Sequence, residues 1–244
     1  MAQTTRSYGT IPTLSSEFSM HAMALLRRRH NASPNARQQL DSGLKFKDIR
    51  RIKREVYETF PDCYVDWIER VNVPQMYGMY LLRKEEMQLA VNSGANGVDE
   101  MLLYHVTTKS RALESLKSGL DWRRTQRSRY GCGVSFSDDA EYADKYADNS
   151  TGEDERVIMI CSVLVTEVYE VNHKWNEGYN MIIPPGQADT TVSRDGCVYV
   201  KYNDFDFYPL HFVYYSYESD DYDDNHCDFH YNYDYDHDNY YNYY

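Results

Sequence analysis

Two segments, Leu102–Thr108 with the sequence LLYHVTT and Tyr130–Tyr146 with the sequence YGCGVSFSDDAEYADKY, contain most of the structural information in this chain. The apolar run Met101–Tyr104 predicts a short buried strand, and His105 follows at its end. The order of these features is unusual for a region with a purely structural role: an apolar run, a lone histidine, a short helix, a basic turn, a Gly-x-Gly and spaced tyrosines. We therefore interpret the region as the frame of a ligand cleft.

A helix is predicted directly after His105. Thr107 or Thr108 can cap its start, and Gly119 is placed for a left-handed conformation at its end. Its inward stripe consists of Ala112, Leu113 and Leu116. His105 would then lie between a strand end and a helix start, where backbone N–H groups and side chains often hold ligands. From spacing alone, a buried histidine without a ligand is the alternative.

The turn Asp121–Arg129 and the residues after it add positive charge and aromatic rings. The arginines of the turn are Arg123, Arg124, Arg127 and Arg129. They suffice to hold a pyrophosphate or an acidic partner, and a solvated loop is the equal alternative. Gly131 and Gly133 permit a close backbone approach. A helix after them would place Tyr142 and Tyr146 on one face, four residues apart.

The rest of the chain contains helical and extended patterns. Apolar spacings of two to four residues predict helices at Leu44–Phe60 and Gln75–Ala90. Alternating or continuous apolar runs predict strands at Tyr64–Val71, Val157–Val165, Cys197–Tyr202 and Tyr208–Tyr215. Val168–Val171 is expected to extend the strand Val157–Val165 after a kink. Together these patterns indicate an α+β fold.

The negative charge of the chain is concentrated beyond Ser216. The 244 residues carry a formal net charge of -12, and nine carboxylates without any Lys or Arg follow Ser216. The remainder is nearly balanced, so no overall basic face favours duplex binding by counterion release, and nucleic acid is not an expected partner. Composition predicts a disordered segment over 1–43, a domain over 44–215 and an acidic low-complexity segment rich in Tyr, Asp and Asn over 216–244.

The five cysteines are widely spaced, without a Cys-x-x-Cys pair or a Cys/His spacing typical of zinc sites. No metal is therefore expected. The odd number of cysteines without a signal peptide indicates reduced thiols, and hence an intracellular protein of the nucleus or cytoplasm. No apolar run approaches the ~18 residues that a membrane span needs, so no membrane insertion is expected.

Several blocks of the sequence, taken in order, match one known family. The blocks are Trp67–Asn72, Tyr77–Met87, Leu102–Thr107, Leu120–Arg123, Tyr130–Tyr146 and Tyr208–His211. This ordered set resembles the catalytic domain of the poly(ADP-ribose) polymerase (PARP) family, in particular the mono-ADP-ribosylating branch that includes the zinc-finger and WWE-containing members. The resemblance implies an ADP-ribosyltransferase-like fold, with two packed, mainly antiparallel sheets flanked by short helices.

The resemblance also implies NAD as the substrate. His105 would hydrogen-bond the ribose hydroxyls, the backbone of Val106 would hold the nicotinamide carboxamide, and Tyr142 would stack on the nicotinamide ring. By position, the residues assigned to NAD are His105, Val106, Thr107, Arg123, Gly133, Ser135 and Tyr142, and those assigned to catalysis are His105, Tyr142 and Leu210. In the family, nicotinamide leaves through an oxocarbenium-like state and an acceptor side chain attacks the ribose carbon, accelerated mainly by positioning and electrostatics.

Three positions depart from the family pattern. Val106 replaces a glycine where the backbone approaches the ligand, and Ser135 replaces one of the two stacking tyrosines. Leu210 stands where polymerising members have a glutamate that activates the acceptor ribose. We therefore expect transfer of a single ADP-ribose to a protein acceptor, which the sequence does not identify. An inactive PARP-like binding module is the alternative, and association through the Tyr-rich segment is compatible with either.

Overall fold

The computed structural model describes residues 39–91, 97–120, 128–147, 155–172 and 177–217. The predicted disordered segment 1–43 and the predicted acidic low-complexity segment 216–244 lie almost wholly outside these residues. Arg123, Arg124 and Arg127 of the basic turn also lie outside them, and Arg129 is described.

Helices and strands alternate along the described residues. The helices are α1 (Phe46–Tyr57), α2 (Pro74–Val91), α3 (Lys109–Ser118) and α4 (Ala140–Lys145), with a short 3-10 turn at Glu177–Asn180. The strands are β1 (Leu40–Asp41), β2 (Cys63–Val71), β3 (Asp99–Thr108), β4 (Val134–Ser137), β5 (Arg156–Val165), β6 (Val168–Val171), β7 (Thr190–Ser193), β8 (Val198–Lys201) and β9 (Phe207–Tyr217). Three of these four helices precede β4.

The nine strands of the described residues form one sheet in the order β1-β2-β9-β5-β3-β4-β8-β7-β6. All neighbours are antiparallel except β6 and β7. The predicted α+β class with mainly antiparallel strands is therefore confirmed, although the strands form one connected sheet instead of two. β3 and β4 share a single residue pair, Tyr104 with Ser137. This pair joins a five-strand part (β1-β2-β9-β5-β3) to a four-strand part (β4-β8-β7-β6).

Each face of the sheet is covered by helices, because successive side chains of a strand point to opposite faces. One apolar cluster includes Leu103 and Met159 of the sheet, Tyr80 of α2 and Leu116 of α3. The other includes Val106 and Ile158 of the sheet, Ile52 and Val56 of α1 and Ala140 of α4. Full burial of one such aliphatic side chain contributes about 1.5–3 kcal/mol, so the two clusters account for most of the fold's stability.

A buried cluster of charged side chains connects α2 with the four-strand part. The ammonium of Lys201 on β8 is 2.8 Å from a carboxylate oxygen of Asp189 and 3.1 Å from one of Asp206, and its side chain is fully buried. The guanidinium of Arg83 on α2 donates to the other Asp206 oxygen at 2.8 Å. Desolvation offsets much of the attraction in such a cluster, so its main effect is to fix one arrangement of these elements.

Two elements differ from the sequence-based expectation. β3 continues to Thr108, because β5 pairs with it residue by residue from Asp99 to Thr108. His105 consequently lies within the strand and not at its end. Val168–Val171 does not extend β5. It forms β6, an edge strand of the sheet, which pairs in parallel with β7.

The short helix α3 differs from the prediction at its start and at one residue of its stripe. Thr108 precedes the helix, but its side chain makes no capping hydrogen bond. Ala112 and Leu116 are buried, at 0% and 2% exposed, but Leu113 is 39% exposed. Gly119 has a φ of 79° directly after the helix, as predicted for the left-handed region. Ala112 and Leu116, four residues apart, therefore face inward as predicted, and Leu113 does not.

We expect acid to destabilise the fold through His211 of β9. Burial, with the positive charges of Arg70 and Arg51, lowers the pKa of His211 to about 4. The unfolded chain binds a proton near pH 6.5 and the native chain does not, so the free energy of unfolding falls as the pH drops from 6.5 toward 4, by about 2 kcal/mol at pH 5. Urea denaturation of wild type and His211→Gln at pH 7 and pH 5 measures this. Equal pH dependence in both proteins contradicts it.

Candidate active site

His105 lies where the two parts of the sheet separate. Beyond the pair Tyr104–Ser137, the ladder between β3 and β4 stops. The imidazole continues the connection, because its Nδ1 lies 2.8 Å from the main-chain carbonyl oxygen of Ser135. The ring also lies against Phe136, with 5.8 Å between ring centres. A side-chain hydrogen bond thus replaces a strand-to-strand hydrogen bond at the point of divergence.

The protonation state of His105 follows from its surroundings. Burial lowers the pKa of the ring below its ordinary value, with a smaller opposing contribution from the Ser135 carbonyl, so the imidazole is neutral at pH 7. A carbonyl oxygen only accepts hydrogen bonds, so Nδ1 carries the ring proton. Nε2 therefore has its lone pair, and no atom of the described residues hydrogen-bonds to it. The ring is suited to accept a hydrogen bond from a ligand hydroxyl.

Helix α4 begins three residues after β4 and brings two tyrosines to the same end of the sheet. Asp139 caps the helix, since its side chain accepts a hydrogen bond from the main-chain N–H of Tyr142 at 2.8 Å. The rings of Tyr142 and Tyr146 lie 4.6 Å apart, so the predicted common face is present. Burial, followed by the neighbouring Tyr146, raises the pKa of Tyr142, and its hydroxyl stays protonated.

The carboxylate of Asp144 attaches α4 to the sheet. Its side chain is 5% exposed and lies 2.6 Å from the guanidinium of Arg156 on β5. It also accepts hydrogen bonds from the hydroxyls of Tyr215 and Tyr217 on β9. Burial, together with the hydrogen bond to Asp144, raises the pKa of Tyr217 to about 12, which keeps that hydroxyl a donor. Four charged or polar groups from three elements therefore determine where Tyr142 lies.

The Gly-x-Gly segment packs against the protein's own strands. A Cβ atom on Gly133 would lie 2.3 Å from the main-chain oxygen of Lys201, so β4 could not approach β8 with any other residue there. Gly131 has a φ of 135°, and a Cβ atom on it would collide with the hydroxyl of Tyr202. The carbonyl before it, that of Tyr130, accepts a 2.6 Å hydrogen bond from the Thr191 hydroxyl. Close packing against neighbouring residues thus explains why glycine is required at both positions.

Val106 and Thr107 are buried beside His105. Val106 is 5% exposed and belongs to the apolar cluster that α1 and α4 cover. Its isopropyl group therefore contributes to the packing between β3 and the helix that carries Tyr142. Thr107 is also 5% exposed. Ser135 contributes its carbonyl to the bond with His105, and its side chain is half-buried.

Leu210 is not brought to this cleft. Leu210 lies on β9, which β5 separates from β3, so two strand spacings of about 4.8 Å each stand between them. Arg123 lies outside the described residues. Two residues that the assignment omitted, Val198 and Tyr199 of β8, lie at the same separation on the other side of β3, because they pair with Ser137 and Phe136 of β4. Their only sequence signal is an ordinary strand pattern.

The described residues contain neither a cluster of metal-binding side chains nor a helix that could span a membrane. Among them, no three His, Cys, Asp or Glu side chains lie close enough together to hold a metal ion. None of the helices in this part of the chain has the length and apolar character to cross a bilayer.

Replacing Asp144 by asparagine is expected to destabilise α4 and the sheet beneath it. The change keeps the size of the side chain but leaves the partly buried Arg156 without its counter-charge, at a cost of about 3 kcal/mol in the free energy of unfolding. Glu141→Gln, on the same helix, removes only the exposed pair with Lys145 and is expected to change little. Urea denaturation of both variants measures the difference, and equal losses contradict the anchoring role.

Comparison with known proteins agrees with this geometry. The sequence pattern of one family, described as "Poly(ADP-ribose) polymerase catalytic domain", matches residues 45–216, more than two thirds of the chain. The match begins just before α1 and ends in β9, so it includes the whole junction between the two parts of the sheet. No individual curated protein matches the sequence. The chain belongs to the PARP catalytic-domain family, whose members are ADP-ribosyltransferases that use NAD as substrate.

Proposed function

We propose that this chain is an NAD-dependent protein mono-ADP-ribosyltransferase. It transfers one ADP-ribose from NAD to an acceptor side chain and releases nicotinamide. The observation that carries the proposal is the state of His105: a neutral imidazole, fixed through Nδ1 to the Ser135 carbonyl, with Nε2 as an acceptor. A ribose hydroxyl is a donor of the kind that this nitrogen requires.

The proposed reaction breaks the bond between the ribose carbon and the nicotinamide nitrogen. Nicotinamide leaves with the bonding electrons, positive charge develops on the ribose, and the acceptor side chain forms the new bond. His105 fixes the ribose through its hydroxyl, and Tyr142 of α4 provides an aromatic face for nicotinamide. Such positioning can supply several kcal/mol of the acceleration without a covalent enzyme intermediate.

The restriction to a single transfer rests on the absence of a carboxylate at the position assigned to the polymerising glutamate. Leu210, at the position assigned to the glutamate of polymerising members, carries none and lies two strands from β3. β8 is the neighbour of β4, and its four residues, VYVK, contain no Asp or Glu either. Without a general base for the ribose hydroxyl of a first ADP-ribose, elongation is disfavoured.

Binding of NAD is expected to stabilise the native protein. At ten times the dissociation constant, mass action adds about 1.4 kcal/mol, which raises the Tm by roughly 3–5 °C for a domain of this size. His105→Ala removes one ligand hydrogen bond and is expected to weaken NAD binding up to about tenfold. His211→Gln, a histidine of the same sheet outside the cleft, is the matched control.

The measurement combines a thermal shift with transfer from NAD labelled in its ADP-ribose part, using the full chain. Wild type and His211→Gln should show both the shift and label on protein, and His105→Ala should show a shift reduced to about a third and less label. Label that appears as long chains contradicts single transfer. Equal labelling of wild type and His105→Ala contradicts the role of His105.

A catalytically inactive binding module is the second candidate, and the burial of Val106 favours it. The isopropyl group fills space between β3 and α4, where the family pattern has glycine. If this side chain closes the nicotinamide slot, wild type shows no thermal shift with NAD and Val106→Ala acquires one. The mutation also costs about 2 kcal/mol of stability from the lost methyl groups.

Val163→Ala serves as the control for Val106→Ala. Val163 lies on β5, is fully buried and belongs to the apolar cluster on the other face. Its truncation has a similar cost and should leave the response to NAD unchanged. A response to NAD that is the same in wild type and in both variants excludes closure of the slot by Val106.

A further inference from the structure

Helix α1 exposes a stripe of positive charge that the candidate active site does not use. Over residues 45–58 the sequence has six Lys or Arg and three carboxylates. Ile52 and Val56 are fully buried, so the side chains on the opposite side of the helix face solvent. The basic stripe consists of Lys47, Arg50, Arg51 and Arg54. Lys47 and Arg54 each lie three and four residues from the two central arginines, so all four share one side of the helix.

The charges of the basic stripe are only weakly compensated on the helix. The Arg51 and Arg54 side chains are 53% and 73% exposed, and their pairs with Glu55 and Glu58 are long, at 4.0 and 3.9 Å. Exposed pairs at such distances contribute little. A dense line of cations of this kind attracts a partner with several carboxylates or phosphates.

An exposed aromatic ring adjoins the stripe. Phe46 is 68% exposed, and the guanidinium of Arg50 lies 4.8 Å from its ring centre. Arginine and phenylalanine together form a surface on which further aromatic rings can stack. The stripe therefore suits a partner that carries both carboxylates and aromatic side chains.

The chain itself contains such a segment. Residues 218–244, the acidic segment, have nine carboxylates, eight tyrosines and no Lys or Arg. β9 leads into this segment at Tyr217, which pairs with Cys63 at the start of β2. Cys63 follows Tyr57, the last residue of α1, by six positions. The acidic segment therefore leaves the domain near one end of α1.

Length and concentration also permit the contact. The 27 residues of the acidic segment extend up to about 90 Å, whereas the 12 residues of α1 are only about 18 Å long. Covalent attachment through a segment of this length keeps its charges near the helix at an effective concentration in the millimolar range. Even a weak electrostatic contact is then populated.

We propose that the acidic segment 218–244 docks on the basic stripe of α1 in the same molecule. Its carboxylates pair with Lys47, Arg50, Arg51 and Arg54, and its tyrosines stack beside Phe46 and Arg50. The contact covers the basic stripe and prevents other polyanions from binding to it. It does not depend on whether the cleft binds NAD.

The test is zero-length carbodiimide cross-linking of the full chain, which joins an amine to a carboxylate in direct contact. At low salt, Lys45 and Lys47 should link to carboxylates of residues 218–244 within the monomer, about fivefold more often than the exposed Lys117 of α3. In about 1 M sodium chloride, where the screening length falls to about 3 Å, these links should be lost. Equal linking of Lys117 and Lys47, or no effect of salt, overturns the proposal.

Charge reversal and isotope mixing complete the experiment. Arg50→Glu with Arg54→Glu should lower the Lys45 and Lys47 links about fivefold, and Lys117→Glu should not, since only the former changes the stripe. All three substituted residues, Arg50, Arg54 and Lys117, are exposed. In a mixture of light and heavy-isotope protein, links between light and heavy chains would assign the segment to a second copy and overturn docking within one molecule. Absence of links at low salt leaves the stripe to another polyanion and also overturns it.

Discussion

The hydrogen bond between Nδ1 of His105 and the carbonyl of Ser135 is the interaction on which the site depends. It lies next to Tyr104–Ser137, the single pair through which the strands of the five-strand and four-strand parts are joined in the described part of the chain. The bond fixes the tautomer of a neutral ring and its orientation at once, because a carbonyl oxygen accepts hydrogen bonds and cannot donate them. The same contact therefore closes the sheet and prepares Nε2 for a ligand.

A junction of one residue pair needs support from elsewhere, and two buried polar clusters provide it. Lys201, Asp189, Asp206 and Arg83 connect α2 with β8, on the four-strand side. Asp144 attaches α4 to β5 and β9, on the five-strand side. Both clusters consist of charges with partners at short range, which resist small displacements more than apolar contacts do. The elements on either side of the junction consequently have fixed positions.

The departures from the family pattern act through packing. Val106 extends the apolar cluster between β3 and α4, and Ser135 contributes its main chain where an aromatic side chain is expected. Gly133 is kept, and its need is explained by the 2.3 Å approach to the β8 backbone. Whether the cleft accepts nicotinamide thus depends on the space that the Val106 side chain fills, while His105 retains its geometry.

The sequence by itself determined the elements whose signal is local. Apolar spacing located α1 and α2, the continuous run located β5, and ordered motifs identified the family and singled out His105 and Tyr142. Only the tertiary structure decided that β3 runs to Thr108, that Gly133 packs on β8, that Asp144 is buried and that Leu210 lies two strands from β3. Each of these depends on which strands pair, and pairing joins residues far apart in the chain whose local patterns are the same for any partner.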